Sequence, residues 1–494
     1  MKEKLKSIKW LNVSLFVIIT IGLLYLAQLF IQPDMVGWDI ERVKHYDAGN
    51  DLSIQYDFEY STDVEYGVVY NQEKCDQTQA CDVTLKISKG KDVSQFSEKE
   101  LTQYLDELVA KGLINEEGII FEEATFSNEI EKGYPITYVS NPYESTINIT
   151  LSKGLETKVY QATMVGVGDI LLHDTVYNSV KGSSDNYDFS SLLKEMMPYI
   201  EPADFAFVNQ ETNIGGTSIG LSSYPSFNSP YEIVSDLRDI GFNMFSRANN
   251  HTLDRGEAAI VLAQQHFETF DDIITAGSTT SFENRDTIPV IEMNGITVSL
   301  LAYSYGFNGY IVPEGKEYLA NEFSYDTARE DIKKAKQISD VVVVSMHWGY
   351  EYQSLPADIQ LEQAQFLADE GVHIVMGHHP HVIQPVDKLI GTNGNETLVM
   401  YSLGNFVSGQ TGLEKQVGGV VKFDITKTTV GTETFIELSV PQFMPTYNYP
   451  AGRYTDYRLV PLIDSTQKNY FNEVKTLLET YSDEVEVVEY ITYN

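Results

Sequence analysis

Three textures of apolar and polar positions follow one another along the chain. Residues 11–31, LNVSLFVIITIGLLYLAQLFI, carry no formal charge. A helix of roughly 20 such residues spans a bilayer core of about 30 Å, so a transmembrane anchor is predicted there. Over residues 36–158 the pattern is mixed. Alternating runs such as LSIQYDFEY and Val83 to Ile87 read as strands, and SEKELTQYLDELVAKG reads as one helix over residues 97–112. Ser97 stands three residues before Glu100, a reciprocal cap for a helix start, and Gly112 suits its end. Leu101, Tyr104, Leu105 and Leu108 recur on one face. The expectation is a small extracellular α+β domain or stalk over 36–158.

From Tyr160 onward, continuous apolar runs end in polar clusters: ATMVGVGD, ADFAFVNQE, FNMFSRANNH, VVVVSMHWG, VHIVMGHHPH and LVMYSLGN. Such runs indicate strands buried on both faces. Helical patterns lie between them, at residues 231–240, 256–267 and 359–370. Strands alternating with helices predict a layered α/β core over 160–464, with function where the strands end. A strand-rich stretch begins near Gly418, and residues 465–494 read as a C-terminal helix, 465–481, and tail. There is no internal repeat or low-complexity tract.

Length and charge narrow the picture further. At 494 residues the chain holds more than one domain, and a 43% hydrophobic content lets most of it bury a core. A net charge of −37 argues against nonspecific binding to nucleic acid or anionic lipid, which attract basic surfaces. Lys2, Lys4, Lys6 and Lys9 precede the apolar run; Asp34, Asp39 and Glu41 follow it. This asymmetry keeps residues 1–10 in the cytoplasm and puts the bulk of the chain outside a single-pass cell-membrane protein. The run is longer than the apolar region of a signal peptide, and no Ala-x-Ala-like site follows, which favours an uncleaved anchor over a cleaved leader. The two cysteines, Cys75 and Cys81, lack the Cys-x-x-Cys spacing of redox or zinc sites. Outside the cell they read as a small disulfide loop; in a reducing compartment they stay free thiols.

Candidate chemistry concentrates in the histidines. Seven of nine lie between His251 and His381, and His251, His347, His379 and His381 stand in polar motifs directly after apolar runs, with His378 beside the last two. Independent strand ends rich in His, Asp, Glu and Asn converge at one sheet edge, which is how a fold assembles a metal site from distant sequence. Asp169 closes the first run. Asn209 and Glu211 are two apart and face one side of an extended strand. Asn250 offers a neutral oxygen, and Asp254 stands where it can orient His251. HWGYE supplies His347 and Glu351; GHHPH supplies His379 and His381, two apart and able to point the same way. Imidazole, carboxylate and amide oxygen together suit Mn, Fe or Zn. Two such ions about 3.5–4 Å apart activate water and stabilise displacement at phosphorus. His251 would then protonate the leaving oxygen.

VGVGDILL, FVNQET, NNHTLDRG, HWGYEY, GHHPHVIQP and YSLGNF, in this order over residues 160–462, resemble the CapA family of poly-γ-glutamate capsule synthesis proteins. The resemblance implies a role in making or exporting capsule, with the membrane, capsule synthase subunits and poly-γ-glutamate as partners. That family is in turn similar to calcineurin-like metallophosphoesterases. This implies a metallophosphoesterase-like α/β sandwich with two divalent metals. Asp169, Glu211, Asn250, His347, His379 and His381 would be ligands, His251 and Asp254 an acid dyad, and Asn209, Glu351 and Asn405 further site residues. Two departures stand out. Leu171 occupies the place of a histidine two residues after the first aspartate, and Glu211 is an atypical bridging carboxylate. They put one metal in question; His173 is the candidate to compensate, although a loop role suits it better. A metal-dependent hydrolase is expected. A non-catalytic scaffold of a membrane synthase complex, and a general extracellular metallophosphoesterase, remain alternatives.

Overall fold

The computed structural model describes residues 33–493 apart from 51–52, 75–82, 123, 128–129, 131, 184–185, 450–456 and 482–484. The expected anchor at 11–31 and the Cys75–Cys81 loop lie outside the described residues. Among the described residues no helix is long and apolar enough to cross a membrane.

The chain divides into two compact units, residues 1–157 with 430–433, and residues 158–429 with 434–494. In the first, helix α1 (Ile40–Asn50) accompanies a three-stranded sheet of β1 (Ile54–Glu59), β2 (Val69–Lys74) and β3 (Val83–Ser88). Helix α2 (Glu98–Ala110) follows, its start closed by the predicted exchange between Ser97 and Glu100. Its buried face, Leu101, Tyr104, Leu105 and Leu108, packs with Ile147 and Ile149 of a second sheet. That sheet contains β4 (Ile119–Phe121), β5 (Thr125–Ser127), β6 (Pro135–Asn141) and β7 (Thr146–Leu155).

The second unit is a layered α/β core. Its ten-stranded sheet is built on β8 (Thr157–Leu171), β9 (Phe205–Gln210), β10 (Met244–Ser246) and β11 (Ile274–Ala276), which pair in parallel. A six-stranded sheet runs β12 (Val290–Met293), β13 (Ile296–Ser304), β14 (Val341–His347), β15 (Ile374–His378), then β17 (Glu396–Met400) and β16 (Val386–Ile390) at its far edge. Strand β18 (Asn405–Ser408) returns to pair with β8. The ten-stranded sheet is completed by β19 (Val417–Val430), β20 (Glu433–Leu438), β21 (Gln442–Tyr449), β22 (Arg458–Pro461) and β23 (Glu486–Val487).

Strand alternation sorts the apolar runs into layers. In β9, Phe205 and Phe207 enter the core between the sheets while Ala206 and Val208 enter the outer one. In β14, Val341 and Val343 point inward, and Val342, Val344 and Met346 meet the covering helices of the second sheet. Those helices are α5 (Tyr325–Ile338) and α6 (Asp358–Asp369); α3 (Glu232–Asp239) and α4 (Gly256–Phe267) cover the first sheet. Burial on both faces explains why these strands read as unbroken apolar runs. Each fully buried Val or Phe side chain contributes about 1.5–3 kcal/mol.

Two details differ from the sequence pattern. Strand β13, ITVSLLAYS, lies between β12 and β14 in the six-stranded sheet, yet its mixed polarity does not announce it. The C-terminal helix is α7 (Phe471–Leu478), shorter than 465–481, because the Ser465 hydroxyl bonds the Leu462 carbonyl and accepts from the Gln467 amide, forming a turn instead. Val474 and Leu478 of α7, and Val487 of β23, join the inter-sheet core, so residues 465–494 complete the second unit.

Candidate metal centre

The carboxyl ends of β8, β9, β10, β14 and β15 bring their polar residues together. Asp169 at the end of β8 sits in register with Asn209 of β9 and Asn405 of β18. A β-bulge between Gly166 and Asp169 re-aims the strand end. Gly168 is required here: a Cβ on it would lie 1.9 Å from the Gly404 carbonyl oxygen, which accepts from the Asp169 amide at 2.9 Å.

Asp169 is fully buried and surrounded. Asn209 Nδ2 donates to its Oδ1 at 2.8 Å, and His381 Nδ1 lies 3.1 Å from its Oδ2. His378 Nδ1 is 3.2 Å from Oδ1 but is not aligned as a hydrogen bond. Burial pushes this carboxyl up, yet the His378 and His381 contacts outweigh it and hold the group well below the usual range. His381 Nδ1 also lies 3.1 Å from Asn405 Oδ1, and its Nε2 is 3.5 Å from Glu211 Oε1. His347 Nε2 stands 3.0 Å from Asn250 Oδ1 and 3.6 Å from Glu211 Oε1. Ligand atoms of Glu211, His379 and His381 all lie within 4.8 Å of one another.

Electrostatics set the protonation of this group. Burial drives Glu211 well above the ordinary carboxylate range, against the pull of His381. Burial keeps His347 far below its ordinary value and lowers His379 to about 3, so both imidazoles stay neutral with a lone pair to give. For His381, burial opposes the cation but Glu211 and Asp169 overturn it, raising the ring to about 9.

The residues present fit a metal. Both carboxylate oxygens of Glu211, Asn209 Oδ1, His347 Nδ1, both ring nitrogens of His378 and His379 Nδ1 are buried without a hydrogen-bond partner. Native interiors leave few such atoms, because each costs about 1–3 kcal/mol. Seven within one cluster of acceptors and imidazoles are a donor set that a cation would satisfy. The backbone supports the same reading. His379 (φ 97°), His381 (φ 57°), Tyr352 (φ 65°) and Asn308 (φ 50°) are all left-handed non-glycine residues gathered here. Each costs about 1–3 kcal/mol, and such strain persists where a site over-determines it. The His379–Pro380–His381 segment is therefore not the extended pair expected from sequence; both histidines reach the cluster from left-handed backbone.

His251 and Asp254 form a separate pair. Within one turn after β10, His251 Nδ1 lies 2.8 Å from Asp254 Oδ2, which also accepts from the Phe227 amide at 2.7 Å. The Phe227 ring packs edge-on against His251 at 4.8 Å. Two predicted residues stay outside the cluster. Glu351 is exposed on the loop after β14 and acts on Glu211 and His381 through its charge alone. His173 accepts from the Gly409 amide at 3.2 Å and sits at the start of a short helix; Leu171 is buried in the core. Neither supplies the histidine absent from the first motif.

Sequence reasoning missed Asn308, whose Oδ1 accepts from Asn250 at 3.2 Å and whose amide nitrogen lies 3.4 Å from His251 Nδ1. It also missed Tyr305, which packs 4.7 Å from the His379 ring, and the part of Tyr352, whose amide donates to the Pro380 carbonyl at 2.8 Å. The Asn-Gly turn at 308–309 was the one available signal. A cavity of about 870 Å³ lies elsewhere, between β16, β17 and β20, and none of the clustered histidines lines it.

The family model described as bacterial capsule synthesis protein PGA_cap matches residues 163–410, from within β8 to just past β18. The chain belongs to this family. The PGA biosynthesis protein CapA of Bacillus subtilis (strain 168) is 30% identical over 222 residues, covering 43% of this chain and 55% of that protein. The capsule biosynthesis protein CapA of Bacillus anthracis is 26% identical over 298 residues, covering 57% and 68%. The chain thus spans little more than half of the Bacillus subtilis relative. Among solved structures, Haemophilus influenzae NAD nucleotidase (NadN) overlays with a TM-score of 0.36 at 10% identity, covering 68% of this chain and 58% of that one. A putative 5′-nucleotidase from Staphylococcus aureus gives 0.34 at 13% identity, covering 64% and 58%.

Proposed function

We propose that this PGA_cap member acts in capsule polymer synthesis or export as a membrane-anchored, outward-facing, metal-dependent hydrolase of phosphoester-type bonds. The observation that carries the proposal is the coexistence of two chemistries at one sheet edge: a cluster of orphaned buried ligand atoms and, beside it, a histidine whose Nδ1 is held at 2.8 Å by the Asp254 carboxylate. Glu211, His379 and His381 would hold a divalent cation, with Glu211 and His381 giving up their protons on binding, and with Asp169, His347 and Asn250 as the surrounding donors. A bound divalent ion there would polarise a phosphoryl oxygen and lower the pKa of a ligated water.

The chain's own groups do the rest. Asp254 accepts from His251 Nδ1 and so fixes the tautomer and ring plane. Nε2 is left as the nitrogen that hands a proton to the leaving oxygen, a contribution of about 10²–10⁴-fold. Phe227 walls the ring and keeps water from one edge. The Asn308 side chain links the His251 ring to the Asn250 side chain. The anchor at 11–31, the outward orientation and the Cys75–Cys81 bridge belong to the same reading, supported by the charge asymmetry around the apolar run.

The test is metal analysis of the purified full chain together with hydrolysis of a generic phosphodiester, and capsule production in cells carrying His251→Ala. Bound divalent metal, hydrolysis and capsule loss support the proposal. Metal-bound protein without hydrolysis, with capsule intact in the variant, leaves the scaffold reading in its place.

A further inference from the structure

We propose that Lys415 is the residue that recognises the substrate, and that the substrate group it meets is an anionic oxygen group. This rests on the reading of the centre as a phosphoester site. Lys415 lies on the short turn Leu413–Gln416, just after β18. Its carbonyl accepts from Asn405 Nδ2 at 2.9 Å, and Asn405 Oδ1 stands 3.1 Å from His381 Nδ1, so one residue separates the lysine backbone from a metal-ligand candidate. Its ammonium lies 4.7 Å from the centroid of the Tyr352 ring. Tyr352 in turn lies 6.3 Å ring to ring from His381 and receives a hydrogen bond from Gln410 Nε2, while Gln410 Oε1 accepts from Asn405. Asn405, Gln410, Tyr352 and Lys415 therefore form a closed wall along one side of His381.

Three facts make this lysine a recognition group. First, among the described residues no carboxylate lies within ion-pairing distance of it; its partner is a ring face. An exposed cation–π contact contributes only about 0.5–1 kcal/mol, so an arriving anion can draw the ammonium away. Second, the other cations near the centre are committed. Arg255 donates to the Ile219 and Gly220 carbonyls and to Ser222, and Arg247 is buried against Gln264 and Phe267. Third, the protein is strongly acidic, and Glu351 and Asp254 bear on Glu211. An anion approaching this field gains from a cation beside His381, and the Tyr352 ring, 4.7 Å from the ammonium, holds one there.

The probe is inorganic phosphate, titrated by calorimetry into the manganese-loaded full chain, with Lys415→Ala, Lys415→Arg and the exposed control Lys333→Ala. Manganese stoichiometry is measured separately for each. The expected result is about ten-fold weaker phosphate binding for Lys415→Ala, near-native binding for Lys415→Arg and Lys333→Ala, and equal manganese in all. Two results overturn the inference while leaving the centre's assignment standing: unchanged phosphate affinity in Lys415→Ala, or a loss of manganese there, which marks a structural role. If the wild-type chain holds manganese but binds no phosphate, the phosphoester reading itself falls, and the inference with it.

Discussion

Two histidine groups sit side by side in the second unit, and they differ in how their polar atoms are satisfied. Around Glu211, His347, His378 and His379, seven buried nitrogen and oxygen atoms have no partner. In the neighbouring pair, His251 Nδ1 and Asp254 Oδ2 are matched at 2.8 Å, and Oδ2 also takes the Phe227 amide, while Asp254 Oδ1 has no hydrogen-bond partner. The residue types are the same; the hydrogen bonding is not. An imidazole with an unanswered lone pair among carboxylates is a ligand in waiting. An imidazole oriented by its own carboxylate is a proton carrier. The proposed roles of ligand set and proton donor rest on this difference.

The largest effects should come from the proposed ligand set. Glu211→Gln keeps the shape but replaces a carboxylate oxygen with an amide nitrogen, and His381→Ala removes a ring that faces both Glu211 and Asp169. Each should cost bound metal and activity together; full metal retention in both would show that the cluster is not the ligand set. Next comes His251→Ala. Metal content should stay near native while phosphodiester hydrolysis falls about 10²–10⁴-fold. Loss of metal instead would move His251 among the ligands and erase the contrast between the groups. Asp254→Asn, which leaves the His251 tautomer unfixed, should lower activity while metal content stays near native. Activity equal to that of the wild type would mean that the pair is only structural.

The smallest effect lies away from the site and shows what a satisfied buried imidazole does without a task. His373 accepts the Val342 amide at Nδ1, 3.1 Å, and burial lowers it to about 4. The unfolded chain takes up the proton first, so the folded state loses stability as pH falls from about 6.5 to 4. The ceiling is about 3 kcal/mol at 1.36 kcal/mol per pKa unit. Urea unfolding at pH 7 and pH 4.5 should show a smaller drop for His373→Gln, whose amide oxygen can accept the same bond. An identical drop in both proteins would assign the acid sensitivity to other groups.

Much of the core was legible because both-face burial writes itself as unbroken apolar runs: β9 and β14 were readable from FAFV and VVVV. Strand β13 was less so, since its serines, buried and hydrogen-bonded, interrupt the run. Helix α2 could be read to within two residues because its cap and its buried face are local. The His251–Asp254 pair was legible for the same reason: three residues of separation close within one turn. The contact of Asp169 with His381 spans 212 residues, and no spacing rule reaches that far.

By itself, then, the sequence determined where strands end in polar residues, which helix carries its own cap, the sign of the surface charge, and the ordered motifs of the family. These follow from periodicity and short-range hydrogen bonding, which act along the chain. The tertiary structure decided which side chains share a cavity. It turned His379 and His381 into a pair through left-handed backbone, put Glu351 at the surface, buried Leu171 where the motif's histidine was expected, and set Tyr352 and Lys415 beside His381. Those outcomes depend on packing two sheets face to face, which brings distant strand ends to one edge, and on the desolvation that the packing imposes on every polar atom enclosed there.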